Sequence, residues 1–361
     1  MVEAGMTLRT CLVRLALVFA FTAALPAEAR GWHESGHRIV ARIAWDELTP
    51  AQRTFVSDLL VRHPRFAEDF VGRMPDAIKK LAEDDAERRR WVFMHAAIWP
   101  DLIKEEVKSL GKQMVGAGGP ERAALEQRFA DAKKYDNGLW HFDNKPIYVD
   151  PYTLPAVTPA GTGLVGVQRA LPAMIKEVGD RGLPAERRAV ALAWVVHLLG
   201  DSHQPLHSAA MFAAGALPEG DLGGNRLIVT VPGSSAPVSL HALWDGLFGA
   251  DETAEAGLKR RVVTSHPRRR LLAELTAPAG ASVEARVNLW LDESYRAADA
   301  NVYSAEIRGA LLTAPPAGAT TPSPVALDRG YVHAAKQVAM RRVALAGYRL
   351  ADCIGGAEAQ R

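Results

Sequence analysis

Apolar positions recur along most of this chain at spacings of three and four, the period of a helix with one buried face. Ile39, Val40, Ile43, Ala44 and Leu48 form the first such stripe, after Ser35 as a possible N-cap and before Pro50. Residues 51–62, 76–110 and 121–135 read as further amphipathic helices, with a Gly-rich loop from Gly111 to Pro120 between the last two. Leu164 to Val178, Ala185 to Leu199, 283–311 and 329–350 keep the same period. One stretch breaks it. Leu227-Ile228-Val229-Thr230-Val231, then Pro-Gly-Ser-Ser, then Val238-Ser239-Leu240 predicts a small hairpin. The Pro-, Ala- and Thr-rich run 313–325 predicts a surface loop, too short and too late to divide the chain. The expected fold is mainly α, one helical domain over 32–352 with a tail at 353–361.

The first thirty-one residues do not fit that domain. Arg9 and Arg14 precede an apolar run from Leu15 to Leu25, and Pro26 to Gly31 form an exit rich in small residues. This is the layout of a secretory signal peptide, too short to span a membrane as an anchor. Cleavage after Ala29 or after Gly31 fits the small-residue rule; the first leaves Arg30 at the start and the second Trp32. The expected destination is the periplasm or the extracellular space. Removing 1–31 takes away three Arg and two Glu, so the formal net charge falls from +2 to +1. A near-neutral chain carries no global electrostatic footprint for nucleic acid, and any phosphate recognition must be local. Of the two cysteines only Cys353 lies beyond residue 31, so an intrachain disulfide is not expected there and a metal becomes an alternative staple.

The helix from Ala189 to Leu199 is apolar nearly all round, which marks it as buried. His197 and Asp201, four apart, share one of its faces. A buried carboxylate is costly unless it is paired or bound to a metal. His207 follows beyond Pro205, and His241 with Asp245 repeats the four-residue spacing. This series points to a metal. Ligands of His and Asp type without Cys favour zinc or another borderline first-row ion. Asp101 beside Trp99 and His141 beside Trp140 are further candidates. His33-Glu34-Ser35-Gly36-His37 matches a zinc-protease signature, but Gly36 lies within it and the helical pattern begins only after Ser35, so both histidines are not expected on one buried helix.

Taken in order, Trp32 with Gly36-His37, Trp99-Pro100-Asp101, Trp140-His141-Phe142, His197-Leu198-Leu199-Gly200-Asp201-Ser202-His203-Gln204-Pro205-Leu206-His207, Gly223-Gly224-Asn225 and Leu240-His241-Ala242-Leu243-Trp244-Asp245 resemble the secreted zinc-dependent, single-strand-specific nucleases of the S-one and P-one type. The resemblance covers 32–245; beyond it no motif is visible. It implies a mainly-α fold with three zinc ions in a cleft. Asp101, His141, His197 and Asp201 would hold one zinc, and His207, His241 and Asp245 a second. Asp201 would bridge to a third, held also by His37 and by the amine and carbonyl oxygen of Trp32. Only cleavage after Gly31 frees that amine, so the resemblance favours Trp32 as the first residue. It further implies Lys104 and Asp201 as catalytic, and Phe142, Asn144 and Asn225 as substrate contacts. The substrates would be single-stranded DNA, RNA and 3′-nucleotides. A monomer without a membrane anchor is expected. His203 fits a helix-end role better than a ligand role.

Asp143-Asn144 departs from the apolar residue and Asp found in many members, which bears on base contacts. Family disulfides and N-x-[ST] acceptors are missing, as in a bacterial version. A zinc phospholipase C shares the implied fold and N-terminal ligand, but its last ligand is typically Glu where this chain has Asp245. A non-catalytic zinc-binding protein and the protease reading are the remaining alternatives.

Overall fold

The computed structural model describes residues 32–149, 166–234, 236–249, 255–312 and 323–359. The expected leader with its cleavage points, and most of the expected 313–325 loop, lie outside these residues. Among the described residues the helices are α1 (Glu34–Glu47), α2 (Pro50–Leu60), α3 (Asp76–Lys79), α4 (Ala86–Ala96), α5 (Trp99–Met114), α6 (Gly119–Lys133), α7 (Val167–Gly179), α8 (Ala185–Asp201), α9 (Leu240–Asp245), α10 (Glu255–Ser265), α11 (Leu272–Leu275), α12 (Val283–Ala297), α13 (Ala305–Leu312) and α14 (Arg329–Ala359). The molecule is mainly α, as its periodicity predicts.

The core is built where apolar stripes meet. α1 lies along α14, α7 along α8 and α5 along α6, and α8 also touches α1, α2, α4, α5 and α14. α8 is therefore the central helix. Its residues from Ala191 to Asp201 are all buried, which explains why its composition is apolar on every side. α2 starts with a capping box: the Thr49 hydroxyl accepts the Gln52 backbone N–H and the Gln52 side chain returns to the Thr49 N–H. α14 runs on through Cys353 and Ile354, both buried, to Ala359.

Three local expectations are corrected. α1 begins at Glu34 with His33 at the N-cap, so Ser35 is not the cap; its hydroxyl instead donates to the Gly249 carbonyl. The stretch Gly111–Pro120 is largely helical, because α5 continues to Met114 and α6 opens at Gly119 with Pro120 in its first turn. Proline is tolerated there since the first-turn N–H has no helical partner. The span 283–311 is two helices joined by a π-turn at Ala298–Val302.

Among the described residues five short strands accompany the helices. β1 (Lys145–Tyr148) pairs in parallel with β2 (Ala209–Phe212), Lys145 opposite Ala209 and Tyr148 opposite Phe212. β3 (Ile228–Thr230) and β4 (Val238–Ser239) form the hairpin that the sequence predicts, and β5 (Val325–Ala326) adds to β3 in parallel. The β1–β2 pair matters most for the site, because it fixes the residues just before each strand, His141 and His207, side by side.

Candidate metal centre

Two of the carboxylates lie at the C-terminal ends of helices, Asp201 on α8 and Asp245 on α9. A helix C-terminus carries partial negative charge and disfavours a carboxylate by about 0.3–1 kcal/mol. Both are almost wholly buried as well. Such placement is stable only beside positive charge. Asp101 sits in the opposite setting, in the first turn of α5 where the helix dipole favours it, with Pro100 in that same turn.

The Asp201 carboxylate lies between the other groups. Its Oδ2 is 3.0 Å from His141 Nδ1 and 3.0 Å from His197 Nε2, and its Oδ1 is 3.4 Å from His37 Nε2 and 3.3 Å from His207 Nδ1. His197 Nε2 is 2.9 Å from His141 Nδ1, and Asp101 Oδ1 lies 3.8 Å from His141 Nδ1 and 4.0 Å from His197 Nε2. Four donors around one ion at ~2.0–2.2 Å would be separated by about 3.3–3.6 Å, and these spacings bracket that value. A second cluster holds His241 Nε2 3.1 Å from Asp245 Oδ2, with the His207 ring stacked on His241 at 5.1 Å between centroids. Among the described residues three sets could each hold a metal ion: His37, His197 and Asp201; Asp101, His141 and His197; and His207, His241 and Asp245.

The residues around these groups fix which nitrogen points inward. His197 Nδ1–H donates to the Ala97 carbonyl (2.7 Å), His207 Nδ1–H to the His141 carbonyl (2.8 Å) and His241 Nδ1–H to the Gly223 carbonyl (2.6 Å). Each bond leaves Nε2 with its lone pair free for a ligand bond. The His207 carbonyl in turn accepts the Asp143 N–H at 2.6 Å, so the His141 and His207 segments are tied from both sides. Gln204 Nε2 donates to Asp245 Oδ1 (2.7 Å), which leaves Oδ2 facing His241. Against this careful pairing, His37 Nδ1 and Nε2, His207 Nε2, His241 Nε2, Asp101 Oδ1 and Asp201 Oδ1 are buried without a hydrogen-bond partner among the described residues. Buried polar atoms are normally satisfied, so orphans that converge on common points fit a cation.

Electrostatics favour the ligand form at Asp201, His207 and His37, while a cation would have to displace the proton that His197 holds and offset the burial of Asp245. Burial opposes the Asp201 carboxylate, yet His197 and His207 outweigh it and hold its pKa well below the ordinary value. Burial pulls His197 down, but Asp201 and Asp101 raise it to about 9. Burial takes His207 down to about 3 and, together with neighbouring His197, lowers His37. Burial raises Asp245 despite His241 beside it.

The remaining sequence candidates sit around this core. Trp32 is fully buried, its indole N–H donating to the Gly200 carbonyl (3.2 Å) and its ring packed on Phe248. Lys104 lies one turn along α5 from Asp101 and is half-buried, as is Phe142 beside His141. Asn144 is buried, and Asn225 Nδ2 donates to the Leu222 carbonyl. His203 stays outside all three sets: its Nδ1 faces the Leu199 carbonyl and its Nε2 accepts from Arg349 (2.8 Å). His33 also stays outside them. Although helix α1 starts earlier than its pattern suggests, only His37 of the protease-like motif reaches the cluster.

Sequence reasoning missed several positioning residues. Asp221 is wholly buried; its Oδ1 accepts the Met211 N–H (2.9 Å) and its Oδ2 the Tyr303 hydroxyl (2.8 Å), anchoring the loop that presents the Gly223 carbonyl to His241. That loop takes positive φ at Gly223 (+64°) and Gly224 (+85°), where a Cβ is strained. Behind Gly200–His207, Arg342 Nε donates to the His203 carbonyl, and Arg342 and Arg349 both pair with Glu293. Only the Gly223-Gly224 pair gave a local signal. No curated protein matches the chain. A family model described as S1/P1 nuclease does match it, from residue 32 to residue 357, through every histidine and aspartate of these clusters and on past Asp245 where no motif is visible, and the chain belongs to that family.

Proposed function

We propose that the chain is a zinc-dependent phosphodiesterase that hydrolyses single-stranded DNA and RNA to 5′-phosphorylated products and also removes 3′-phosphate from nucleotides. Membership of the nuclease family supports phosphodiester hydrolysis. The observation that carries the metal dependence is the set of orphaned, buried nitrogen and oxygen atoms converging around Asp201 and around His241. Three zinc ions fit these sets. Asp101, His141, His197 and Asp201 would hold one, and His207, His241 and Asp245 another. Asp201, His37 and the amine and carbonyl of Trp32 would hold the third. Metal ions there would lower the pKa of a nearby water towards neutrality and offset charge on phosphate oxygens.

The chain's own residues supply the rest. Asp201 links the sets, because its two oxygens face different histidines. Lys104, on the same helix as Asp101, offers a cation to the reacting phosphate. Phe142 offers a ring face to one unpaired base, and Asn144 and Asn225 offer hydrogen bonds beside it. A paired base cannot reach that ring without unstacking, which costs a few kcal/mol. The leader 1–31 directs export and is removed after Gly31, leaving a chain that acts as a monomer in the periplasm or outside the cell. Among the described residues no helix is long and apolar enough to cross a membrane.

The test is a zinc-loaded preparation assayed on single-stranded DNA, duplex DNA and short-chain phosphatidylcholine. Single strands should be cleaved faster than duplex by roughly one or more powers of ten, since each 1.4 kcal/mol is about tenfold. Phe142→Ala should raise KM roughly 5- to 150-fold, the equivalent of ~1–3 kcal/mol of stacking, while Lys104→Ala should depress kcat more than KM. Equal rates on duplex and single strands, or faster hydrolysis of the lipid, would defeat this reading.

A further inference from the structure

Among the described residues no metal set takes a member from beyond Asp245, yet α12 and α14 reach the segment that ties these sets together. Asp201, Gln204 and His207 lie on the one turn that leaves α8 and leads into β2. Asp201 belongs to one set, His207 to another, and Gln204 holds Asp245. Side chains from α12 and α14 hold the backbone of this turn. The Ser202 carbonyl accepts the Ser294 hydroxyl (2.6 Å), and the His203 carbonyl accepts Arg342 Nε–H (3.2 Å). Arg342 Nη2 donates to Ser294 Oγ (2.6 Å) and to the Trp290 carbonyl (3.2 Å), and Nη1 donates to Glu293 Oε2 (2.8 Å). Arg349 grips both Glu293 oxygens and donates to His203 Nε2, whose ring then donates from Nδ1 to the Leu199 carbonyl.

Arg342, Arg349, Ser294 and His203 are all buried. Two guanidiniums share the one carboxylate of Glu293, so a surplus positive charge is enclosed here. Enclosing it is costly. Burial, opposed by Glu293, takes the Arg342 pKa down to about 10, which still leaves it charged at neutrality. Exposed helix-end carbonyls are satisfied by water without that cost. The charge lies where a helix favours it, at the negative pole of α8, which ends in Asp201. A guanidinium also fixes direction, because its N–H groups form a rigid fork and each must meet its own oxygen. We propose that Arg342 is a positioning residue of the metal centre. Through the His203 carbonyl and Ser294 it sets the turn from Asp201 to His207 as one rigid piece. Asp201, His207 and, through Gln204, Asp245 then reach their ligand positions together. This inference rests on the zinc reading above. Residues that orient metal ligands at one remove typically change metal affinity or activity by about 10- to 100-fold when replaced.

The experiment compares the zinc-loaded full chain with Arg342→Met, Ser294→Ala and, as a control, Arg341→Gln, whose side chain pairs with Glu274 at the surface. Arg342→Met keeps the length of the side chain and leaves Glu293 paired with Arg349. Its zinc content should fall by more than one ion per chain, and kcat on single-stranded DNA by about 10- to 100-fold with KM unchanged. Ser294→Ala should weaken zinc affinity by about 2- to 10-fold, the equivalent of one hydrogen bond. Arg341→Gln should change neither. In zinc-free chains, amide exchange over 198–207 should quicken in the first two variants while α1 and α2 keep their rates. Full zinc content and kcat in Arg342→Met, with only a lower unfolding temperature, would overturn the proposal. Loss of a single ion would overturn the shared turn, and exchange that rises evenly along the chain would make Arg342 a general stabiliser only. If Arg342→Met does not fold, Ser294→Ala decides on the same zinc and exchange readouts. If the wild type takes up no zinc, the metal reading fails. Exchange then decides alone whether Arg342 holds the turn: a rise confined to 198–207 keeps that role, and an even rise or none removes it.

Discussion

Gly200 shows how tightly the cluster is packed. A Cβ at this position would lie 2.6 Å from His37 Nδ1, closer than any real contact, and the imidazole has no slack because it stacks on His197 at 4.2 Å. Gly200→Ala must therefore push His37 away from Asp201. We expect bound zinc to fall by about one ion per chain and activity to drop at least tenfold, read by elemental analysis and by single-strand cleavage; full occupancy with full activity would refute the link between this glycine and the cluster. The glycine lies inside the most legible segment of the sequence, where four-residue spacing on an apolar helix marks His197 and Asp201. Gln204, Asp221 and Glu293 were not legible. Their partners lie 41, 10 and 56 residues away in Asp245, Met211 and Arg349. Such bonds depend on how elements pack, and a local period does not encode them.

Between residues and the whole stands a second buried network, which places α5 and hence Asp101. Asp69, in the π-turn Phe66–Val71, accepts both Arg65 Nε (2.7 Å) and the Trp99 indole N–H (2.7 Å), and Arg65 also reaches Glu106 (2.7 Å). Asp69→Ala would leave the nearly buried Arg65 with Glu106 and the exposed Glu68 and without its two-pronged partner, so a loss of roughly 3–5 kcal/mol in urea unfolding is expected. Zinc content at neutral pH should fall less than in Gly200→Ala, because Trp99 keeps its packing against His63 and Tyr135. His63 belongs to the same network. Burial, opposed in part by Asp69, lowers its pKa from 6.5 to about 4. A histidine depressed in the folded state contributes stability that is present above pH 6.5 and is lost as pH falls towards 4. His63→Gln keeps an acceptor for the Arg65 N–H but does not titrate. The stability lost between pH 7 and pH 5 should shrink by about 2 kcal/mol in the variant, at ~1.4 kcal/mol per pH unit below 6.5. An identical pH dependence would show that His63 takes up its proton without unfolding. At this scale the apolar periodicity located most helices. It misjudged the 111–120 link and the start of α1, because glycine and serine signals mark turns only where packing permits one. The parallel β1–β2 pair left no signal at all, since each strand is only four residues long.

For the molecule as a whole, the cluster joins segments that the fold must otherwise hold together without covalent help. The ligand candidates come from α1, α5, the turn before β1, α8, the turn before β2 and α9. The cysteine among the described residues, Cys353, is free and buried. Without a cation, three carboxylates and five histidines face one another across a core that excludes water, with several of their polar atoms unsatisfied. Ions that bind only the folded state would stabilise it by about 2.7 kcal/mol each at a hundredfold excess over Kd. At roughly 2 °C per kcal/mol or more for a chain of this size, removal of one ion should lower the unfolding temperature by about 5 °C, and removal of all three by about 15 °C. The measurement is a thermal scan of the zinc-loaded chain before and after chelation and dialysis. Zinc should restore the original transition. Magnesium should not, because it prefers oxygen ligands in octahedral geometry and dehydrates reluctantly, while these sets are mainly imidazole. A chelated chain that unfolds at the same temperature would mean that the clusters persist through their own hydrogen bonds and ion pairs, and the case for resident metal would fall with it.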